Sequence, residues 1–340
     1  MRATVYVGRG EMTVRDVPVP VPGEHEALVA VSHCGICGTD LHLVFEGYAR
    51  PDSVLGHEWS GTIAALGSGV TGWRAGDRVV ANPIPGCGVC RACRHGRPSV
   101  CLDRAPTDYL SFRGAFCEYV LVSQERLLAL PDALSTRVAA LTEPTAIALH
   151  AAVLSGATPD DRVLVTGAGP VGLLMIAVLR ARGVGQITVS EPSPHRRERA
   201  LAVGASRVVA PESLPRAPMG GPVEPSYTLA FECSGNARAA ESALDQLDFA
   251  GTLVFVGTGA ESPRVNHNRV IIFELTIIGS YNYEADGFVG ALELLASGAL
   301  PVDLLIEPDD VGLDGVLHAM EQLSAGTLPG KVMVRPAPAR

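Results

Sequence analysis

The sequence lacks the features that would place it in a membrane or on a nucleic acid. Its 27 basic residues are outnumbered by 36 acidic ones, for a formal net charge of −9, which is poorly suited to holding a phosphate backbone. The sequence also shows no basic stripe. The most apolar stretch, residues 163–179, is interrupted by three glycines and a proline. The opening residues also lack the apolar run of a secretory signal. We therefore expect a soluble, cytoplasmic protein with neither membrane nor nucleic-acid partners.

Length and composition predict two folded domains. A chain of 340 residues, 47% hydrophobic and 19% charged, exceeds one ordinary core and has the composition of a globular protein. Up to about residue 150, strand candidates at residues 27–31, 61–66 and 76–80 are separated by frequent glycine and proline. This pattern indicates a β-rich domain that carries function on its loops.

From about residue 155, strands and helices alternate. The strand candidates are residues 161–166, 186–190, 207–209, 227–233, 252–256 and 275–279, and the helix candidates are residues 171–182, 194–203 and 236–247. Alternation of this kind predicts a parallel sheet covered by helices, an α/β fold. Residues 211–226 contain five prolines and are predicted to form a surface loop without regular structure.

Seven of the eight cysteines lie between Cys34 and Cys117, which favours metal ligands over a disulfide framework. The spacing C-x2-C-x2-C-x7-C is typical of a closed tetrahedral zinc site that stabilises a loop. Coincidence and disulfides are the alternatives, and the acidic, cytosolic-looking chain favours zinc over both. The loop has no apolar run that would order it by burial, so a metal crosslink is physically reasonable. Cys34 and Cys117 are expected to be small buried residues. The four predicted structural ligands are Cys87, Cys90, Cys93 and Cys101.

A second group of candidate ligands predicts a catalytic zinc. Such a site needs about three protein ligands and an open position. Cys37 and His57 supply a thiolate and an imidazole, and Glu58 or Glu143 supplies a carboxylate. Taken alone, His57 would be an ordinary structural histidine, and Glu143 would be a carboxylate at a helix start, where Pro144 is favourable. The combination favours the metal site.

A glycine turn predicts dinucleotide binding. The sequence G-A-G-P-V-G follows a strand and opens a helix, so its backbone can approach a pyrophosphate. Glu191 falls at the end of the next strand, where a carboxylate binds the adenosine ribose and repels a 2′-phosphate, which favours NAD over NADP. Arg196, nearby, is expected to stack on adenine or, as the alternative, to bind a 2′-phosphate. The residues of the turn are Gly167, Ala168, Gly169, Pro170, Val171 and Gly172.

The motif C-G-T-D-L-H at residues 37–42, the G-H-E at residues 56–58 and the four-cysteine loop together resemble the zinc-containing medium-chain dehydrogenase family. The resemblance implies a GroES-like catalytic domain at residues 1–150, completed by residues 286–340, and a Rossmann domain at residues 151–285. It implies that Thr39 and His42 relay the substrate proton and that Asp40 supports a ligand. It also implies that the nicotinamide half of the cleft is lined by Ser234, Val256 and Gly257.

The third ligand separates the subfamilies. Animal-type alcohol dehydrogenases place a cysteine there, whereas Glu143-Pro144 is similar to the polyol, threonine and butanediol dehydrogenases. The resemblance favours Glu58 as the direct ligand, with Glu143 sharing or exchanging the role. It also implies two zinc ions per subunit and a homodimer or homotetramer that uses the strand at residues 275–279.

The predicted function is reversible, NAD-linked oxidation of a secondary alcohol or polyol, with amino alcohols and aminocyclitols included. Two alternatives keep the same fold: a zinc-independent NADPH reductase of enones or quinones, and a non-catalytic NAD(H)-binding relative. Substrate-pocket candidates that fit the core equally well are Phe45, Tyr48 and Trp59.

Overall fold

The structure is a computed structural model that describes residues 1–83, 86–101, 103, 113–217 and 221–336. The first part of the chain is mostly strands. These are β1 (Arg2–Gly8), β2 (Glu11–Asp16), β3 (Glu26–Gly35), β4 (Ser53–Val54), β5 (Glu58–Leu66), β6 (Arg78–Ala81), β7 (Tyr119–Ser123) and β8 (Leu127–Ala129). The helices there are α1 (Gly38–Phe45), α2 (Arg91–Arg94), α3 (Thr136–Ala139) and α4 (Thr142–Leu154).

The second part alternates strands with helices. The strands are β9 (Arg162–Thr166), β10 (Gln186–Ser190), β11 (Arg207–Val209), β12 (Tyr227–Glu232), β13 (Leu247–Phe255), β14 (Thr276–Gly279) and β15 (Met333–Val334). The helices are α5 (Pro170–Ala181), α6 (Pro194–Val203), α7 (Ala237–Asp245), α8 (His267–Ile272), α9 (Ala285–Ala296), α10 (Val302–Leu305) and α11 (Val316–Ser324).

The parallel sheet has the order β11-β10-β9-β12-β13-β14. The chain moves outward in one direction from β9 and then returns to the other side of it, so a crevice opens beyond the carboxyl ends of β9 and β12. Buried Val163, Leu164 and Val165 place β9 at the centre of this sheet. The predicted parallel α/β sheet is confirmed.

The first part of the chain forms antiparallel sheets. One has the order β2-β1-β4, and the other has the order β15-β3-β5-β6-β8, with β7 also pairing β3. Strand β15 comes from the far end of the chain, where Met333 pairs with Gly35 and Val334 with Cys34. The returning segment, residues 311–334, therefore belongs to the core of the first part, which includes Met320 and Val332.

Local signals explain several boundaries. Helix α6 begins after Ser193, whose Oγ accepts a hydrogen bond from the Arg196 N–H, and ends at Gly204, whose φ is 132°. Helix α7 begins after Asn236, which accepts from two backbone N–H groups. The predicted bounds of β10, α6 and β11 are confirmed to the residue. The proline-rich loop at residues 211–226 contains one short 3₁₀ helix, Pro211–Ser213, which the prediction missed, and residues 218–220 lie outside the described residues.

No helix among the described residues is both long and apolar enough to cross a membrane.

Candidate functional site

A continuous cleft runs from the antiparallel part of the molecule to the crevice of the parallel sheet. Its inner part, about 230 Å³, is lined by residues that include Cys37, His57 and Glu143. Its outer part, about 360 Å³, reaches Gly167 and Glu191. The two parts share six lining residues, which are Cys37, Gly38, His42, Val171, Cys233 and Ser234.

Three predicted zinc ligands meet at the inner end of the cleft. Cys37 caps the start of α1, His57 precedes β5, and Glu58 is the first residue of β5. Their ligand atoms all lie within 4.8 Å of one another. Zinc bonds of about 2.0–2.3 Å place neighbouring ligand atoms roughly 3.3–3.8 Å apart, so one ion fits this group after a small adjustment of side chains. A thiolate, an imidazole and a carboxylate also form an appropriate donor set.

Gly56 directs the chain into His57. Its φ is 93°, a left-handed conformation that side chains disfavour. A Cβ added there would lie 2.8 Å from ring carbons of Phe116 and 2.9 Å from the Cys34 Sγ. Both the backbone angle and the space therefore require glycine, and the position of His57 depends on it.

Asp40 supports two of the ligand-bearing segments. Its side chain is fully buried, and one carboxylate oxygen accepts a hydrogen bond of 2.9 Å from the Cys37 N–H. The other oxygen accepts one of 3.2 Å from the Gly56 N–H and lies 3.8 Å from the His57 Nδ1. Burial raises the pKa of Asp40 above its usual value. The carboxylate thus fixes the backbone on either side of the ligand group.

Glu58 is paired with a lysine from the far end of the chain. The Lys331 Nζ lies 2.7 Å from each carboxylate oxygen of Glu58 and donates a hydrogen bond of 3.0 Å to the Ile36 carbonyl. Both side chains of the pair are 1% exposed. Burial alone would lower the pKa of Lys331, but attraction to Glu58 and to Cys37 raises it above its usual value. The ammonium therefore stays charged beside the candidate ligands.

Glu143 lies in the first turn of α4, with its side chain in the inner cleft. Burial raises its pKa to about 7. Burial would lower the pKa of His57, but attraction to Cys37, Asp40 and Glu143 raises it well above its usual value. A metal cation that binds this imidazole has to displace its proton, as is general for histidine ligands.

His42 lines both parts of the cleft, and Thr39 lines the inner part. The His42 Nδ1 lies 2.5 Å from the Oε1 of Glu46, one helical turn further along the chain. His42 is 37% exposed at its side chain, so it connects the cleft with solvent.

The four-cysteine loop brings its sulfur atoms together as predicted. The ligand atoms of all four cysteines lie within 4.8 Å of one another. The Cys87 and Cys93 Sγ atoms are 4.0 Å apart, and the Cys90 and Cys101 Sγ atoms are 3.8 Å apart. Zinc–sulfur bonds of about 2.3 Å in a tetrahedron place sulfur atoms about 3.8 Å apart. The spacing therefore fits one zinc ion with no open position.

Glu284 attaches this loop to the second part of the chain. Its carboxylate accepts hydrogen bonds of 2.8 Å from the Arg97 Nε, 2.8 Å from the Ser99 Oγ and 3.1 Å from the Ser99 N–H. The Asn282 Nδ2 donates one of 3.3 Å to the Ser99 carbonyl. Because Asn282 also lines the inner cleft, the loop supports one wall of the cleft.

The glycine turn has the close approach that dinucleotide binding needs. A Cβ on Gly172 would lie 2.1 Å from the Gly167 carbonyl oxygen, so only glycine lets α5 pack against the turn. Glu191, at the end of β10, is buried, and its carboxylate accepts hydrogen bonds of 2.8 Å from the Ala168 N–H and 2.9 Å from the Ser193 N–H. The carboxylate is therefore held against the turn. Ser234, Val256 and Gly257 line the inner cleft on the other side of β9.

Arg196 lines the outer cleft, but its guanidinium is already engaged. The Nη2 donates hydrogen bonds of 3.1 Å to the Leu323 carbonyl and 3.0 Å to the Leu328 carbonyl. The Nε is buried and has no hydrogen-bond partner among the described residues.

The three aromatic candidates have different positions. Phe45 lines the outer cleft, Trp59 is 4% exposed and belongs to the core, and Tyr48 is 64% exposed and lines neither part of the cleft. Cys34 and Cys117 are buried as predicted.

Two charged residues of the cleft were missed by sequence reasoning. Lys331 was detectable as the single lysine among 27 basic residues. Glu46 was detectable from its i,i+4 spacing from His42.

Comparisons with known proteins agree with these features. Residues 23–132 match the alcohol dehydrogenase GroES-like domain, and residues 170–297 match the zinc-binding dehydrogenase family. The chain is 34% identical over 318 residues to the sorbitol dehydrogenase of Bacillus subtilis strain 168, covering 90% of this chain and 89% of that enzyme.

Solved structures are similar over nearly the whole chain. A zinc-binding dehydrogenase of Sinorhizobium meliloti 1021 bound to NADP has a TM-score of 0.86 and 30% identity, covering 98% of this chain and 99% of that one. An alcohol dehydrogenase of Escherichia coli CFT073 complexed with NADH has a TM-score of 0.87 and 28% identity, with the same coverage of 98% and 99%. The resemblance inferred from the motifs is confirmed.

Proposed function

The chain belongs to the zinc-containing medium-chain dehydrogenase family, and on that premise we propose that it oxidises a secondary alcohol or polyol reversibly with NAD. One observation carries the proposal. Thiolate, imidazole and carboxylate donors meet at the inner end of a cleft whose outer end contains the glycine turn and Glu191. An alcohol at the inner end would therefore lie beside a nicotinamide bound along the cleft.

We assign the catalytic zinc to Cys37 and His57, with Glu58 as the direct carboxylate ligand and Glu143 as its alternate. Bound zinc supplies Lewis-acid chemistry that lowers the pKa of the substrate hydroxyl. The convergence of Cys37, His57 and Glu58 supports this assignment, and the place of Glu143 in the same cleft supports its alternate role. We assign the structural zinc to the loop that contains Cys87, Cys90, Cys93 and Cys101.

The residues around the substrate divide the reaction between a proton and a hydride. Thr39 would accept the hydroxyl proton by hydrogen bond, and His42 would pass it on toward solvent. Bound NAD would supply the hydride acceptor, and the glycine turn together with Ser234, Val256 and Gly257 would hold it in the cleft. The positions of Thr39 and His42 along the cleft support this path.

NAD is the proposed cofactor because Glu191 stands where the adenosine ribose binds. A buried carboxylate accepts ribose hydroxyls and repels a 2′-phosphate. Arg196 is engaged by two carbonyl oxygens, which leaves its charge poorly placed to offset that repulsion. Stacking of the Arg196 stem on adenine remains part of the proposal.

Polar side chains in the inner cleft favour a substrate with several hydroxyl groups. Ser280 and Asn282 line it, and the Ser280 Oγ is buried with no hydrogen-bond partner among the described residues. A second hydroxyl or an amino group on the substrate would satisfy that oxygen. Polyols, amino alcohols and aminocyclitols have this chemistry. The sorbitol dehydrogenase relationship favours polyols.

We propose that residues 1–150 and 286–340 form the GroES-like domain and residues 151–285 form the Rossmann domain. The pairing of β15 with β3 supports the return of the chain to its first domain. We also propose a cytoplasmic homodimer or homotetramer built on β14, which pairs only with β13 among the described strands. Nearby exposed apolar side chains support that interface. They are Phe249, Ile271, Ile272 and Ile277.

Cys37→Ser tests the proposed function. We expect the variant to lose turnover while NAD binding, followed by nicotinamide fluorescence or calorimetry, changes little. Wild type is assayed for NAD⁺ reduction against polyols, diols and amino alcohols. Cys117→Ser is the matched control, because that buried thiol lies outside the cleft lining and its Sγ already donates to the Gly114 and Tyr119 carbonyls.

The same assays separate the alternatives. Retained turnover in Cys37→Ser would contradict the metal chemistry, and full activity on enones after zinc removal would identify a zinc-independent reductase. NAD binding by wild type with no turnover of any alcohol or ketone would identify a non-catalytic relative.

A further inference from the structure

His42 lies in the last turn of α1, and Glu46 is the residue that caps the end of this helix. Their side chains form a hydrogen-bonded pair. The His42 Nδ1 and the Glu46 Oε1 are 2.5 Å apart, and the Glu46 N–H donates to the His42 carbonyl at 3.1 Å. Both side chains are partly buried, at 37% and 29% exposure, and both line the outer cleft. The proposed proton path uses His42 but leaves Glu46 without a role.

We propose that Glu46 is a positioning residue that holds the His42 ring in its Nδ1–H tautomer, so that Nε2 accepts the substrate proton. This inference rests on the proposed function. An ionised carboxylate only accepts hydrogen bonds, so the 2.5 Å contact requires the proton to be on Nδ1. In a neutral imidazole the other nitrogen is then the acceptor.

The proton balance of the step is simple. The substrate hydroxyl loses a proton, which reaches the His42 Nε2, and the substrate carbon loses a hydride to NAD⁺. His42 then carries hydrogen on both nitrogens, and the Glu46 carboxylate lies against the positive ring until a proton leaves to water. The partial exposure of both side chains gives solvent access to this pair.

The surroundings of Glu46 keep it in the ionised form. Hydrogen bonds from His42 and then from Tyr48 lower the pKa of Glu46 below its usual value, and the positive charge of Arg9 acts in the same direction. Arg9 is itself fixed by a hydrogen bond of 2.8 Å to the Phe45 carbonyl. The charged and titratable groups that face Glu46 therefore all favour the carboxylate that the proposal needs.

The tautomer is measured directly by ¹⁵N NMR of the histidine rings, with His42→Asn used to assign the signal. We expect Nδ1–H in wild type and in Glu46→Gln, because the amide oxygen of glutamine still accepts the bond. Glu46→Leu should release the ring to a mixture dominated by Nε2–H. An Nε2–H signal in wild type, or no change in Glu46→Leu, would overturn the proposal. This measurement does not depend on turnover.

A double-mutant cycle then tests whether Glu46 acts through His42. Glu46→Leu should lower kcat about tenfold, part of the 10²–10⁴ that a positioned acid–base group supplies, with little change in the KM for NAD. In the His42→Asn background the same change should have no further effect. Equal losses in both backgrounds would indicate a structural role and refute the inference.

Glu321→Leu is the matched control. Glu321 lies 3.5 Å from the His318 Nδ1 in another helical His–Glu pair, with both side chains exposed and outside the lining of the cleft. Its kcat should equal that of wild type. A wild-type protein that turns over no substrate would refute the proposed function, whereas an active wild type with equal losses in both backgrounds would refute only the role of Glu46.

Discussion

Replacing Lys331 with methionine removes the cation beside Glu58 while nearly conserving the length and volume of the side chain. The structure places the ammonium 2.7 Å from both carboxylate oxygens, with each side chain 1% exposed. In the zinc-free protein, methionine leaves Glu58 charged, buried and without its cation. The Ile36 carbonyl also loses the hydrogen bond that Lys331 donates to it.

The size of the effect follows from burial. Two unit charges 2.7 Å apart attract by about 6 kcal/mol at an effective dielectric constant of about 20. Much of this attraction offsets the cost of desolvating both charges, so removing one partner of a buried pair costs about 3–5 kcal/mol. For a chain of this size we expect the thermal midpoint to fall by about 4–7 °C.

The assay is thermal and urea unfolding of the zinc-free and zinc-loaded protein. Arg15→Met is the matched control, because Arg15 and Asp52 are also 2.7 Å apart but their side chains are 47% and 76% exposed. That change should cost at most about 1 kcal/mol. Adding Glu58→Gln to Lys331→Met should recover about half of the loss, since no buried charge is then left unpaired. Equal small effects of Lys331→Met and Arg15→Met would refute the reasoning.

Two further predictions concern the cofactor and the loop. Glu191→Ala should lower the ratio of kcat/KM for NAD to that for NADP about tenfold, because the repulsion of a 2′-phosphate is lost. Exposed Glu198→Ala is the control, and an unchanged ratio in Glu191→Ala would show that Glu191 does not select the cofactor. Cys101→Ser should lower bound zinc by one ion per chain, measured by metal analysis, and should expose the loop to trypsin at Arg91, Arg94 or Arg97. The control Cys34→Ser should leave the zinc content unchanged, and unaltered zinc in Cys101→Ser would contradict the closed site.

Local patterns were sufficient for the Rossmann half of the fold. Helix α6 was predicted to the residue because Ser193 caps it and Gly204 ends it, and both signals act within one helical turn. Helix α7 was predicted two residues too long at its carboxyl end, because Gln246 and Leu247 suit a helix while β13 already begins at Leu247. Helix propensity does not reveal that Leu247 pairs with Tyr227 of β12.

The candidate site was predictable in its motifs and less so in its supporting contacts. Cys37, His57 and Glu58 lie in short motifs, whereas the contact of Glu58 with Lys331 joins residues 273 positions apart. No periodicity connects such distant residues. The hydrogen bond between Ser99 and Glu284 joins residues 185 positions apart and was unpredictable for the same reason. The sequence left open whether Trp59 lies in the core or in the substrate pocket, and only the packing of β5 places it in the core.

Arg196 has a consequence for coenzyme engineering. Its guanidinium joins the outer part of the cleft to the backbone at Leu323 and Leu328. Redirecting it to a phosphate would release both carbonyl groups, at a net cost of about 0.5–1.5 kcal/mol for each hydrogen bond lost. A redesign toward the phosphorylated coenzyme therefore has to introduce a new cation and keep the Arg196 hydrogen bonds to the Leu323 and Leu328 carbonyls.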